Sequence, residues 1–116
     1  MSQFMLLLHE NPADFQSYTP EEMQKLFERY RAWNEELAAS GRLVVSAKLK
    51  DEGGKHLRRG ANGKVKVVDG PDGEAKEVIG GTFTIKAADY DEAVEIASGC
   101  PHAEFGWIEL REVDGA

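Results

Sequence analysis

A chain of 116 residues, 41% hydrophobic and 30% charged, suits one ordinary globular core rather than several domains or a disordered segment. Its formal net charge of −7 and pI near 4.9 argue against duplex nucleic acid and against an anionic membrane surface as partners. A single cysteine, Cys100, excludes an intrachain disulfide and a multi-thiolate zinc site.

Phe4-Met5-Leu6-Leu7-Leu8 is continuously apolar and stops at His9-Glu10-Asn11-Pro12, which predicts a strand buried on both faces. The same stretch has no basic flank and is too short for a signal peptide. Nothing reaches the length of a membrane span, so a cytoplasmic location is expected. A loop over 12–17 leads to Thr19-Pro20-Glu21-Glu22, a helix start with Thr19 as N-cap, Pro20 in the first turn and Glu22 closing a capping box. The helix should run to about Ser40 and end at Gly41. Met23, Leu26, Phe27, Tyr30, Trp33 and Leu37 form its apolar stripe. Asn34 falls inside that stripe and is expected to bond to nearby backbone, the alternative being a polar group lining a pocket.

Residues 43–49 read as a second strand, with Leu43, Val45, Ala47 and Leu49 on one face and Val44, Ser46 and Lys48 on the other. After Asp51-Glu52-Gly53-Gly54, two short runs flank Gly60-Ala61-Asn62-Gly63 and predict a hairpin. It carries Lys55, His56, Arg58, Arg59, Lys64 and Lys66, and reads as a solvated edge ribbon whose cations discourage further pairing. Asp69-Gly70-Pro71-Asp72-Gly73 is then a turn, because Pro presets φ and Gly accepts positive φ. The turn would hold Asp69 at the mouth of a cleft. Residues 80–87 alternate cleanly as a strand, Asp89 caps a short second helix that stops at Gly99, and residues 105–113 form the last strand, with Ile108 and Leu110 opposite Trp107, Glu109 and Arg111.

The order β-α-β-hairpin-β-α-β over a single domain, 1–116, predicts an α+β, ferredoxin-like βαββαβ unit with an inserted hairpin. Its first strand and the strand at Gly80 would be central, with both helices on one face. Because the first strand is apolar on both sides, a second copy is expected to cover the other face, burying Met5, Leu7, Thr82, Thr84 and Trp107 in a homodimer. The same topology gathers His9, Asp69 and His102 at one end of the sheet, with Asp72 and Glu77 nearby.

Val68-Asp69-Gly70-Pro71, Glu74-Ala75-Lys76-Glu77, Gly80-Gly81-Thr82-Phe83, Asp91-Glu92-Ala93, Cys100-Pro101 and Gly106-Trp107-Ile108-Glu109-Leu110-Arg111 occur in an order that resembles the YCII-related proteins of the DGPF type. The resemblance covers nearly the whole chain. It implies a dimeric α/β barrel of ferredoxin-like units and an enzymatic activity resting on a His and Asp pair in the cleft. Some members of the family are associated with extracytoplasmic-type sigma factors. The chain departs at the signature, where Asp72 replaces the family's Phe after Asp-Gly-Pro.

A carboxylate beside an imidazole orients it and raises its pKa, which is the minimum apparatus for acid–base work. His9, Asp69 and His102 are therefore the candidate catalytic residues. No elbow motif surrounds a serine, the three side chains lack helical metal-ligand spacing, and no glycine-rich phosphate loop is present, so neither a metal nor an organic cofactor is expected. Two readings stay open. One is an enzyme that moves a proton on a small organic molecule. The other is a non-catalytic small-ligand or interaction module serving a transcription-associated regulatory partner, in which Asp69 caps its turn.

Overall fold

The computed structural model describes residues 1–71 and 76–115; the Asp72 departure lies outside the described residues. Strand β1 spans Ser2–Glu10, helix α1 Pro20–Ala39, β2 Leu43–Lys48, β3 Lys55–Arg59, β4 Val65–Asp69, β5 Val78–Ala87, α2 Tyr90–Ala97 and β6 Trp107–Glu112. Short 3-10 helices occupy Pro12–Phe15 and Pro101–Glu104. The second is why β6 starts at Trp107 and not at Phe105: Phe105 N–H and Gly106 N–H both still donate to His102 O, each at 3.0 Å.

Both helices start as their sequences require. Thr19 Oγ1 accepts from Glu22 N–H and Glu22 Oε1 from Thr19 N–H, each at 3.1 Å, a reciprocal cap worth about 1 kcal/mol. Asp89 caps Glu92 N–H at 2.9 Å, while Glu92 reaches back to Ala88 N–H at 3.1 Å and pairs with Arg42.

The main sheet has four antiparallel strands in the order β2-β5-β1-β6, the strand order of a ferredoxin-like βαββαβ unit. Phe4, Leu6 and Leu8 of β1 point to one side with Phe83 and Ile85 of β5, and meet Trp33 and Leu37 of α1 and Ala93 and Ala97 of α2. Both helices therefore cover one face. Each fully buried Phe4, Leu6 or Ile85 side chain stabilises the fold by about 2 kcal/mol. The other face carries Met5, Leu7 and His9, then Thr82 and Thr84, then Glu109, Arg111 and Trp107, because the register sets Met5 beside Thr84 and Arg111, and Leu7 beside Thr82 and Glu109.

Two irregularities aim side chains. In β2, Leu43 opposes Ile85 but Val45 opposes Thr84. This bulge separates Leu43 from Val45, which alternation had put on one face, and turns Ser46 and Lys48 to the helix side. In β5, Leu8 opposes Gly81 and His9 opposes Ile79, leaving Gly80 as the extra residue.

The hairpin of β3 and β4 is a separate two-stranded sheet. It shares few contacts with the other elements, and Gly70 N–H closes its base on Gly54 O at 2.9 Å. With it the molecule extends 49 × 42 × 19 Å, and its radius of gyration of 16.2 Å exceeds the roughly 13 Å of a compact chain this long.

Candidate functional site

A cavity of about 280 Å³ opens between α1 and the helix-covered face of the sheet. Leu8, Phe15, Leu26, Phe27 and Phe83 give it apolar walls, Glu10, Tyr30, Asn34, Ser46 and His102 bring polar atoms to it, and Arg31, Lys48 and Asp51 add charge to its lining. A mostly apolar cavity with a few convergent polar groups is the usual form of a small-molecule site.

His102 is 1% exposed, fixed by the 3-10 helix after Cys100. Its Nε2 lies 2.8 Å from His9 O and its Nδ1 2.7 Å from Tyr30 Oη. A carbonyl oxygen only accepts, so Nε2 carries the hydrogen, Nδ1 is the lone pair, and the Tyr30 hydroxyl donates to it. Both ring nitrogens are thereby engaged, and the plane of the imidazole is fixed. Gly106 permits this contact: a Cβ there would stand 2.1 Å from His9 O and 2.8 Å from His102 Nε2. Burial, reinforced by the negative charge of Glu10, pushes the Tyr30 phenol far above its ordinary pKa and keeps it protonated.

Glu10 ends β1 on the same face as Leu8. Its carboxylate lies over Gly80, where a Cβ would come within 1.6 Å of Oε1, so the bulged glycine makes its berth. Burial raises the Glu10 pKa, partly offset by His102 and Lys48. Glu10 lines the cavity, and among the described residues no hydrogen bond or ion pair engages its carboxylate. Across from it, Ser46 Oγ donates to Asn34 Oδ1 at 3.0 Å. Asn34 thus bonds a side chain in the cavity wall and not the backbone expected of it, because the β2 bulge brings Ser46 round. Cys100 is buried and its thiol is pushed up to about 11, which leaves it protonated and unreactive near neutrality.

The trio expected from sequence is not assembled. His9 sits on the open face, with its ring stacked on Trp107 at 3.9 Å and 5° and its Nε2 3.0 Å from Glu109 Oε1. The hydrogen bond from His9 holds Glu109 below the usual carboxylate range, with Arg111 adding to it. Trp107 Nε1 in turn donates to Glu77 at 2.7 Å. The Asp69 side chain is 82% exposed and pairs with Lys55 across the hairpin ladder. Neither histidine is hydrogen-bonded to it, because the hairpin closes on itself and presents Asp69 to solvent. No backbone amide among the described residues bonds to Asp69 either, so the cap expected of it is not made there. A wider cleft of about 620 Å³ at the hairpin base touches His9, His56 and Glu77. Of the three candidates only His102 reaches the cavity between α1 and the sheet, where it is joined by Tyr30 and Glu10, which the sequence presents as a stripe residue and a strand boundary. The spacing of Leu6, Leu8 and Glu10 on one strand face was the signal that could have found Glu10.

Among the described residues no cluster of three metal-ligating side chains occurs, and no helix is long and apolar enough to cross a membrane. Residues 2–114 match the family model described as YCII-related domain. Among curated proteins, none matches the chain.

Proposed function

The chain belongs to the YCII-related domain family, and from that footing we propose that it binds a small, largely apolar organic molecule between α1 and the sheet and moves a proton on it. One observation carries this reading. A carboxylate with a raised pKa and no hydrogen-bonding partner among the described residues shares a largely apolar cavity with a phenol hydrogen-bonded to a buried imidazole. Glu10 is the acid–base group, since burial brings its pKa toward the working pH. The Tyr30 oxygen, oriented by His102, holds a hydroxyl of the ligand. His9 and Asp69, outside the cavity, take no part in the proton step. Screening small phenols, enols and keto acids by NMR should yield a ligand that shifts Tyr30 and Phe83 signals. Solvent deuterium should enter its acidic C–H position, and Glu10→Gln should slow that exchange about 100-fold or more. Ligands that shift only His9 and His56, at the hairpin base, would refute the assignment.

The proposal includes a homodimer formed through the open face, in which paired sheets make an α/β barrel. Supporting it are the half-buried Met5 and Leu7 on a face that no helix covers, and the exposed Val45 and Trp107 beside them. Such an interface should bury more than about 1,000 Å². Leu7→Glu would bury an unpaired charge there and give a monomer in sedimentation. A wild-type chain that stays monomeric at micromolar concentration would exclude the barrel.

A further inference from the structure

Nothing in the cavity or on the open face uses the β3–β4 hairpin. An isolated two-stranded ribbon is marginally stable in water, and this one has little support from its own body. Its two faces differ. The cross-strand pairs Leu57–Val67 and Arg59–Val65 share a face, and on it Leu57 is 66%, Val65 65% and Val67 58% exposed. Three adjoining aliphatic side chains on a projecting ribbon form an exposed apolar surface.

Charge indicates what fits it. Residues 55–69 hold Lys55, Arg58, Arg59, Lys64 and Lys66 against Asp69, a net of four positive charges. In a chain of net −7, the remaining residues therefore carry −11. A basic arm with an apolar face and a strongly acidic body are complementary, and the arm does not fold back onto its own body. We propose that the hairpin is an arm that docks its Leu57, Val65 and Val67 face on the acidic body of a second copy, each copy embracing the other about a twofold axis. The inference rests on the homodimer just proposed and adds a second, charge-dependent contact to it.

Sedimentation equilibrium of the full chain tests this with two variants of the docking face, Leu57→Ser with Val67→Ser, and Lys55→Glu with Arg59→Glu. All four side chains are exposed, and circular dichroism checks that both variants remain folded. Each pair should weaken the dimer about tenfold or more. The charge-reversed pair should differ most from wild type at low salt and least at high salt. In mixed 14N and 15N dimers, carbodiimide should crosslink Lys55 of one copy to carboxylates of the other. Unchanged dimer affinity in both variants, with Leu7→Glu still monomeric, would overturn the arm and leave the open-face dimer standing. A monomeric wild type would overturn both. Loss of binding to a duplex DNA probe, with the dimer unaffected, would also overturn the arm and make nucleic acid the occupant.

Discussion

Tyr30→Phe removes one oxygen and leaves the shape of the α1 stripe intact. The lost atom is the donor to His102 Nδ1, 2.7 Å away, on a ring that is 1% exposed. Water has little access to that nitrogen. The ring cannot escape by moving its hydrogen to Nδ1, because a lone pair on Nε2 would then face the His9 carbonyl at 2.8 Å. Protonation in acid does not help either, since Nδ1–H would meet a phenyl ring. A buried acceptor left unpaired costs about 1–3 kcal/mol, and with both escapes closed the middle of that range, about 2 kcal/mol, is expected. For a domain of this size that is a fall in Tm of about 8 °C. Urea denaturation followed by circular dichroism should show an earlier midpoint at unchanged slope. His102→Leu removes the other partner, and the double variant should be more stable than the summed single losses by about 1 kcal/mol. A loss below about 0.5 kcal/mol for Tyr30→Phe, or strict additivity in the cycle, would show that the hydroxyl does not hold His102, and the cavity chemistry would lose its orienting group.

Two glycine substitutions should separate the site from the fold. Gly106→Ala drives a methyl into the His9 carbonyl, which is backbone, and should destabilise the chain by about 2 kcal/mol or more in denaturation. Gly80→Ala meets only the movable end of Glu10, so stability should change by less than about 1 kcal/mol while ligand binding in the cavity, read by NMR titration, is lost. Glu10 also sets a pH dependence. Its folded pKa is raised, so the stability it contributes is complete below the unfolded pKa and is lost as pH rises through the folded one. Glu10→Gln should therefore gain stability relative to wild type between about pH 4 and 7, and a constant difference over that range would contradict the burial of the carboxylate. Asp69→Asn, at an exposed pair with Lys55, should cost under about 1 kcal/mol and leave proton exchange on a cavity ligand unaltered.

Elements whose signals are local were legible in the sequence. Thr19-Pro20-Glu21-Glu22 and Asp89 specify helix starts through bonds within four residues, and the turn at Gly63 with its flanking runs specifies the hairpin. Strand order followed from connection rules, and with it the central places of β1 and β5. What failed depended on register. Alternation in β2 holds only until a bulge, and the bulge between Leu43 and Val45 decides that Ser46 meets Asn34. Asp69 was placed by the direction of the chain, whereas its neighbours depend on which sheet the hairpin joins. The carboxylate beside His9 is Glu109, which alternation puts on the same face of the last strand as Trp107; the pairing of Leu7 with Glu109 brings it over. Tyr30 was hidden by its own stripe, because helical periodicity counts a tyrosine as apolar and is silent on where its hydroxyl goes.

His9 belongs to both sides of the sheet. Its side chain lies flat on Trp107 among the groups of the open face, while its carbonyl oxygen receives the His102 hydrogen on the helix side. A single peptide unit at the end of β1 thus works as a rivet through the layer. A contact that covers or uncovers Trp107 would reach the imidazole beside Tyr30 through this one residue. Thermodynamics makes any such coupling symmetrical: whatever factor a covered face contributes to occupancy of the cavity, an occupied cavity returns to the covering of the face. Trp107 fluorescence, an open-face signal, is accordingly the readout that would test whether a ligand bound in the cavity is felt at the indole.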